Sequence, residues 1–300
     1  MSPARRAYAA FIITSIVWGT TYLAIRIALE TIPPMLMASA RWIVAGTVLI
    51  AALAARGEKL PGPREWPALT ILGILLLGFG NGAVVWAELT VPSGLTAVLV
   101  ATVPFWMVGI DAAANRTAPA ATADPLATRR VIGLIVGFSG IVLLVWPELK
   151  VSGARGFLTG VISTQIACIG WALGSSYAKR RARTGAVEEN VLASAAFEML
   201  FGGVALLVVG VALGEWSRVA FTTRTTLALA HLIVFGSIAG FTAYVYALKH
   251  LPMATVSLYA YINPLIAVVL GVLILHEPFS VRMAAAAAIV LAGMAMVRRD

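Results

Sequence analysis

Hydrophobic residues recur along this chain in long continuous runs, at about 7–27, 35–55, 67–87, 93–112, 129–146, 156–177, 190–213, 227–248, 254–275 and 281–297. Each run holds about 17–24 residues, the length of an α-helix that crosses a hydrocarbon layer about 30 Å thick. Polar punctuation separates them: Thr31-Ile32-Pro33-Pro34, Arg56-Gly57-Glu58-Lys59, Val91-Pro92-Ser93, the Asn115–Asp124 segment and Lys179–Arg183. A membrane barrel would instead show alternating segments of about ten residues. The pattern predicts an all-α membrane protein with ten transmembrane helices.

Composition sharpens this picture. Of 300 residues, 60% are hydrophobic and only 12% charged, against about a quarter charged in soluble domains. Ten spans would use about 200 residues and leave short connections. The net charge of +9 would suit nucleic acid. However, the basic residues lie in the gaps between apolar runs, which is a topology signal. The expected partners are therefore a small-molecule substrate and membrane lipid, with no nucleic acid. With the N-terminus inside, about 15 of the 22 Lys and Arg residues fall on the cytoplasmic side. Both termini are thus expected in the cytoplasm, and the location is the cytoplasmic (inner) membrane. The basic start, Met1–Arg6, precedes an apolar stretch too long for a secretory signal core, so it reads as the first membrane helix, left uncleaved. The lone Cys168 and the scattered His231, His250 and His276 offer no metal-ligand spacing. No nucleophile constellation stands beside them, so no cofactor, metal or enzymatic activity is expected.

The chain also repeats itself. Gly80-Asn81-Gly82-Ala83-Val84-Val85-Trp86-Ala87 aligns with Gly240-Phe241-Thr242-Ala243-Tyr244-Val245-Tyr246-Ala247, and the same offset carries Pro92 onto Pro252 and Pro104 onto Pro264. A slightly shorter offset carries Trp18 onto Trp171. The halves are then 1–150 and 151–300, with five helices each. Five is odd, so the second half would enter the membrane upside down, giving the inverted repeat typical of secondary transporters. Pro104 and Pro264 interrupt the fourth helix of each half and are expected to act as hinges or to open a cavity.

Polar side chains inside the membrane are costly unless they pair or line a cavity. Thr14, Trp18 and Thr21 share one face of the first helix; Thr164, Cys168, Trp171 and Ser175 share one face of the sixth. Small polar residues also bind helices together, but central tryptophans depart from their usual place at the interface. Tyr244, Tyr259, Asn81 and Asn263 complete the expected substrate site, the two amides being able both to donate and to accept. Either amide could equally bond one helix to another. Glu198, well inside its run, is a possible proton site or a paired packing residue. No Lys or Arg lies mid-run, Arg41 and Arg26 standing near the outer ends. That distribution disfavours a phosphorylated substrate.

Taken together, Trp18-Gly19-Thr20-Thr21-Tyr22, the Pro92/Pro104 helix and Pro252…Asn263-Pro264…Leu275-His276-Glu277-Pro278 resemble the ten-helix exporters of the drug/metabolite transporter superfamily. The chain most resembles the bacterial exporters of aromatic amino acids. The resemblance spans nearly the whole chain and implies helices around a central cavity, with two rocking halves. Within that family an acid follows the fourth helix of a half. Glu277 supplies it in the second half, whereas the first carries Arg116-Thr117 within the inserted Asn115–Asp124 segment. The expected function is export of small metabolites, foremost aromatic or large apolar amino acids, by alternating access. A sugar-phosphate or nucleotide-sugar translocator and a facilitative channel are the alternatives.

Overall fold

The computed structural model describes residues 3–114, 125–146, 154–183, 190–256 and 258–298. The Asn115–Asp124 insertion lies outside them. Every regular element among the described residues is helical: α1 (Pro3–Ala28), α2 (Pro34–Ala55), α3 (Trp66–Ala87), α4 (Ser93–Val100), α5 (Val103–Ala114), α6 (Pro125–Val145), α7 (Ala154–Arg183), α8 (Val191–Ala212), α9 (Thr223–His250), α10 (Met253–Val256), α11 (Tyr259–Leu275) and α12 (Val281–Arg298). Six of these (α1, α2, α3, α7, α8 and α9) are long and apolar enough to cross a membrane, and shorter apolar stretches fall in α4–α5, α6, α11 and α12. Apolar side chains such as Ile16, Val48, Val208, Leu265 and Leu273 point outward. In water such a surface would aggregate; in lipid it costs nothing to expose.

Several runs are not single α-helices. The run at 93–112 divides into α4 and α5 at Ala101-Thr102. Thr102 turns the chain, its hydroxyl donating to the Leu99 carbonyl at 2.7 Å and its own carbonyl accepting from Phe105 N at 2.9 Å. Pro104 follows in the first turn of α5, where its missing N–H is tolerated. Its counterpart sits elsewhere: α10 ends at Val256, α11 begins at Tyr259, and Pro264 lies inside α11. The two prolines share a spacing in sequence but not a place in the helix.

The centres of α3 and α9 are wound as π-helix, over Gly73–Gly82 and Leu232–Ala239, a geometry that recurs at functional sites. Helix starts are held across the fold. The Glu215 carboxylate accepts from Met35 N (2.9 Å) and Leu36 N (3.0 Å), just after Pro33-Pro34. Glu277 accepts from Ser93 N (2.8 Å) and Gly94 N (3.2 Å), just after Pro92. Each carboxylate satisfies the free N–H groups of a helix N-terminus and meets its positive dipole.

Packing is reciprocal. Helix α2 lies along α8, and α6 along α12; α1 packs on α9 and α11, as α7 packs on α3 and on α4–α5. A Cβ on Gly46 of α2 would strike the Ala196 carbonyl of α8 at 2.7 Å, and one on Gly203 of α8 would strike Ile43 N of α2 at 2.8 Å. Backbones meet there with no side chain between them, the small-residue contact that brings membrane helices together.

Candidate functional site

Where these helices converge they surround a partly open cavity, about 570 Å³ of space between the helices with its open mouth included. Helix α1 contributes Trp18, Thr21, Tyr22 and Ile25; α2, Arg41 and Trp42; α3, Gly80, Asn81 and Val84; α7, Ala167, Cys168 and Trp171; and α11, Tyr259 and Asn263. Val100 and Val103, on either side of the Ala101-Thr102 break, close one wall.

The two indoles of the aromatic wall pack against the π-helical segments, Trp18 at Gly236 and Trp171 at Gly80. Trp18 is buried and donates its indole N–H to the Gly236 carbonyl at 3.1 Å. It meets Trp171, Tyr244 and Tyr259 at ring distances of 5.3, 5.0 and 5.2 Å, the range of favourable aromatic pairs. Trp171 donates to the Tyr244 hydroxyl at 3.0 Å. Ser175 gives its proton to the Trp171 carbonyl (2.8 Å), so the Tyr244 O–H donates to Ser175 Oγ, also at 2.8 Å. Space for both indoles depends on glycine: a Cβ at Gly240 would lie 2.6 Å from Trp18 Nε1, and one at Gly80 2.8 Å from Trp171 Cε3.

Of the residues expected from sequence, Trp18, Thr21, Asn81, Trp171, Tyr259 and Asn263 line the cavity together. Tyr244 and Ser175 stand directly behind Trp171. Thr164 is buried, bonded back to the Gly160 carbonyl at 2.9 Å. Thr21 spends its proton on the Trp18 carbonyl. Oriented by its hydrogen bonds, the Asn263 amide donates to the carbonyls of Tyr259 (3.1 Å) and Ser15 (2.8 Å), tying α11 to α1. Glu198 is buried on α8 and lies outside the cavity lining.

One sequence argument is overturned. Arg41 stands near the outer end of its run in the sequence and not at its middle, yet in the fold it lines the cavity and is only 2% exposed. The signal was available: Pro33-Pro34 fixes where α2 begins, so Arg41 lies about 10 Å along its axis. The guanidinium Nε donates to Ser237 Oγ at 2.7 Å, and its plane stands 4.3 Å from the Trp42 ring centre. Trp42, also near the run's start, is fully buried beside it and donates to Asn81 Oδ1 at 2.8 Å.

Sequence reasoning also passed over Glu88. It sits in the turn after α3, fully buried, and neither carboxylate oxygen has a hydrogen-bond partner. Its backbone carbonyl accepts from Arg26. Burial pushes its carboxyl well above the ordinary value near 4.5; Glu277 adds to the rise while Arg26 and Arg41 oppose it.

Helices with a lipid-compatible exterior surround a polar-and-aromatic cavity, an architecture that suits a membrane transporter. The chain belongs to the EamA-like transporter family, whose model matches it twice, over residues 5–146 and 158–299, within the drug/metabolite transporter superfamily. It is 36% identical to the uncharacterized inner membrane transporter YedA of Escherichia coli (strain K12), over 85% of this chain and 78% of that protein. It is 25% identical to the uncharacterized transporter YvbV of Bacillus subtilis (strain 168), over 94% and 88% of the two chains. A crystal structure at 22% sequence identity superposes with a TM-score of 0.67, covering 97% of this chain and 96% of that one, and so shares the fold.

Proposed function

We propose that the protein is a secondary exporter in the cytoplasmic membrane, moving aromatic or large apolar amino acids and related metabolites by alternating access around this cavity. The observation that carries the proposal is the aromatic wall. Trp18 and Trp171, from α1 and α7, meet edge to face and both open onto one polar-edged void. Aromatic walls favour aromatic cargo by about 0.5–1.5 kcal/mol per stacked pair beyond area burial.

The two halves, 1–150 and 151–300, act in this proposal as inverted five-helix units. Support comes from the doubled family match and from the reciprocal glycine contacts of α2 and α8. Both termini are placed in the cytoplasm by the basic bias. Cysteines introduced at Gly62 and Phe221 should then label from opposite sides; labelling of both from outside would discard this orientation.

The substrate reading is tested by counterflow in liposomes. Labelled phenylalanine inside should accelerate on adding unlabelled phenylalanine outside, which a channel does not produce. Trp18→Phe and Trp171→Phe keep a ring but remove the indole N–H, and serve as packing controls. Trp171→Ala should weaken aromatic substrates by roughly two- to tenfold and spare alanine and threonine. Equal losses for large and small substrates would reduce the tryptophans to helix packing.

A further inference from the structure

Arg41 is the one charged residue among the described lining residues, and the aromatic wall does not explain it. A guanidinium is always charged, and burying it without a compensating partner is among the most expensive things a fold can do. Here the burial is built. Ser237 receives Nε, Trp42 lies under the plane, and Gly236 leaves room, since a Cβ there would stand 2.8 Å from Nη2. Yet Nη1 has no hydrogen-bond partner, and no carboxylate of the described residues forms an ion pair with it. Beside it, Trp42 occupies the Asn81 amide oxygen, so the amide N–H₂ is left as a pair of donors at the cavity edge.

The described lining residues include no Asp or Glu. The site thus offers a ligand one cation and the Asn81 donors, while its acceptors, such as Thr21 Oγ, are uncharged. Glu88, whose carboxyl feels Arg41, lies outside the lining. We propose that Arg41 and Asn81 form an anion subsite, and that the cargo is recognised through a monocarboxylate carried on an apolar or aromatic body, any ammonium meeting no counter-charge in the lining. One guanidinium balances one negative charge, and its fork matches a carboxylate in a bidentate fashion. A phosphate dianion would leave a buried charge uncompensated. This proposal rests on the cavity being the substrate site, as in the exporter reading, but it moves the substrate class from amino acids to aryl- and alkyl-carboxylates at large.

The test is ligand-induced thermal stabilisation of the purified full-length protein, wild type and Arg41→Gln, titrated with five probes. These are 3-phenylpropanoate, phenylalanine, phenethylamine, phenyl phosphate and butyrate. In the wild type, 3-phenylpropanoate should bind as tightly as phenylalanine, and phenethylamine and phenyl phosphate about tenfold or more weakly. Arg41→Gln should cost the two aryl carboxylates, 3-phenylpropanoate and phenylalanine, about tenfold and leave phenethylamine unmoved. Phenethylamine or phenyl phosphate binding as well as phenylpropanoate would overturn the anion subsite while leaving an aromatic cavity standing. Butyrate binding as tightly as phenylpropanoate would do the reverse, removing the aromatic preference and keeping the subsite. Binding by none of the five would overturn both. The wild-type comparison needs no variant. Should Arg41→Gln fail to fold, Arg41→Lys keeps the charge and loses the fork; unchanged carboxylate affinity there would overturn the bidentate contact.

Discussion

Arg41 on α2 and Glu198 on α8 occupy matching places in a reciprocal helix pair. Gly46 of α2 meets Ala196, Met199 and Leu200, while Gly203 of α8 meets Trp42 and Ile43, and each charged residue lies five residues before its own helix's glycine. Both are almost fully buried, at 2% and 4% exposed. Their charges are opposite, and only Arg41 reaches the cavity. The backbone contact is thus duplicated and the chemistry is not. Close approach is a demand that both helices meet with glycine, whereas the side chain one turn away is free to serve one half alone.

The largest effect should come from breaking what the two places share. Gly46→Leu or Gly203→Leu pushes a side chain into facing backbone at 2.7–2.8 Å, where neither helix can yield. Overpacking of this kind costs about 1–3 kcal/mol or more, and the expected outcome is loss of the monodisperse peak in size exclusion. Normal recovery of both variants would mean that α2 and α8 are separable and the correspondence of Arg41 with Glu198 is accidental.

Next comes what the two places do not share. Of the two readings of Glu198, proton site or packing residue, the first predicts that Glu198→Gln makes uptake insensitive to an imposed pH gradient while phenylalanine still binds. Arg41→Gln should do the opposite, weakening binding and leaving the pH response of the residual transport intact. If both variants lose binding equally, the two charges act as one unit and the division between them is wrong.

This comparison also shows how much the sequence could reveal. Runs of about twenty apolar residues are imposed by the bilayer and by nothing else, so the helical membrane architecture was readable at once. Trp18, Thr21, Asn81, Trp171, Tyr259 and Asn263 were readable because polar and aromatic groups stand out against an apolar run, and all six line the cavity. Depth was harder to read. Arg41 and Glu88 lie near run ends, where charges ordinarily reach water, and both are buried because neighbouring helices close over them. The π-helical winding of α3 and α9 has no periodic signature, although the glycines that admit the two indoles were already visible in the aligned segments.

Glu88 gives a smaller effect that separates a structural carboxyl from a working one. Its raised value in the fold means that the neutral form is favoured there. The stability it contributes is present below the ordinary value near 4.5 and is lost as pH rises through the raised one. The melting temperature of the purified protein should therefore fall as pH rises above about 4.5, and Glu88→Gln should flatten that slope. An unchanged slope in Glu88→Gln would show that its carboxyl finds water or a cation in the membrane.

The two prolines give the finest comparison, with an effect expected at only one of them. Their equal spacing in sequence led to one expectation for both, yet Pro104 opens α5 while Pro264 lies within α11. In the first turn of a helix the missing N–H has no partner to lose, so Pro104→Ala should leave stability within about 0.5 kcal/mol and exchange unchanged. In the interior, proline withholds the bond to the carbonyl four residues back, here that of Ala260. Pro264→Ala should restore it, stabilise the protein by up to about 3 kcal/mol and slow exchange by stiffening α11. Melting curves and counterflow rates on the two variants decide between hinge and helix start. If Pro104→Ala slows exchange as much as Pro264→Ala does, a new N–H at position 104 has joined α4 to α5. The break at Ala101-Thr102 would then be the moving joint of the first half.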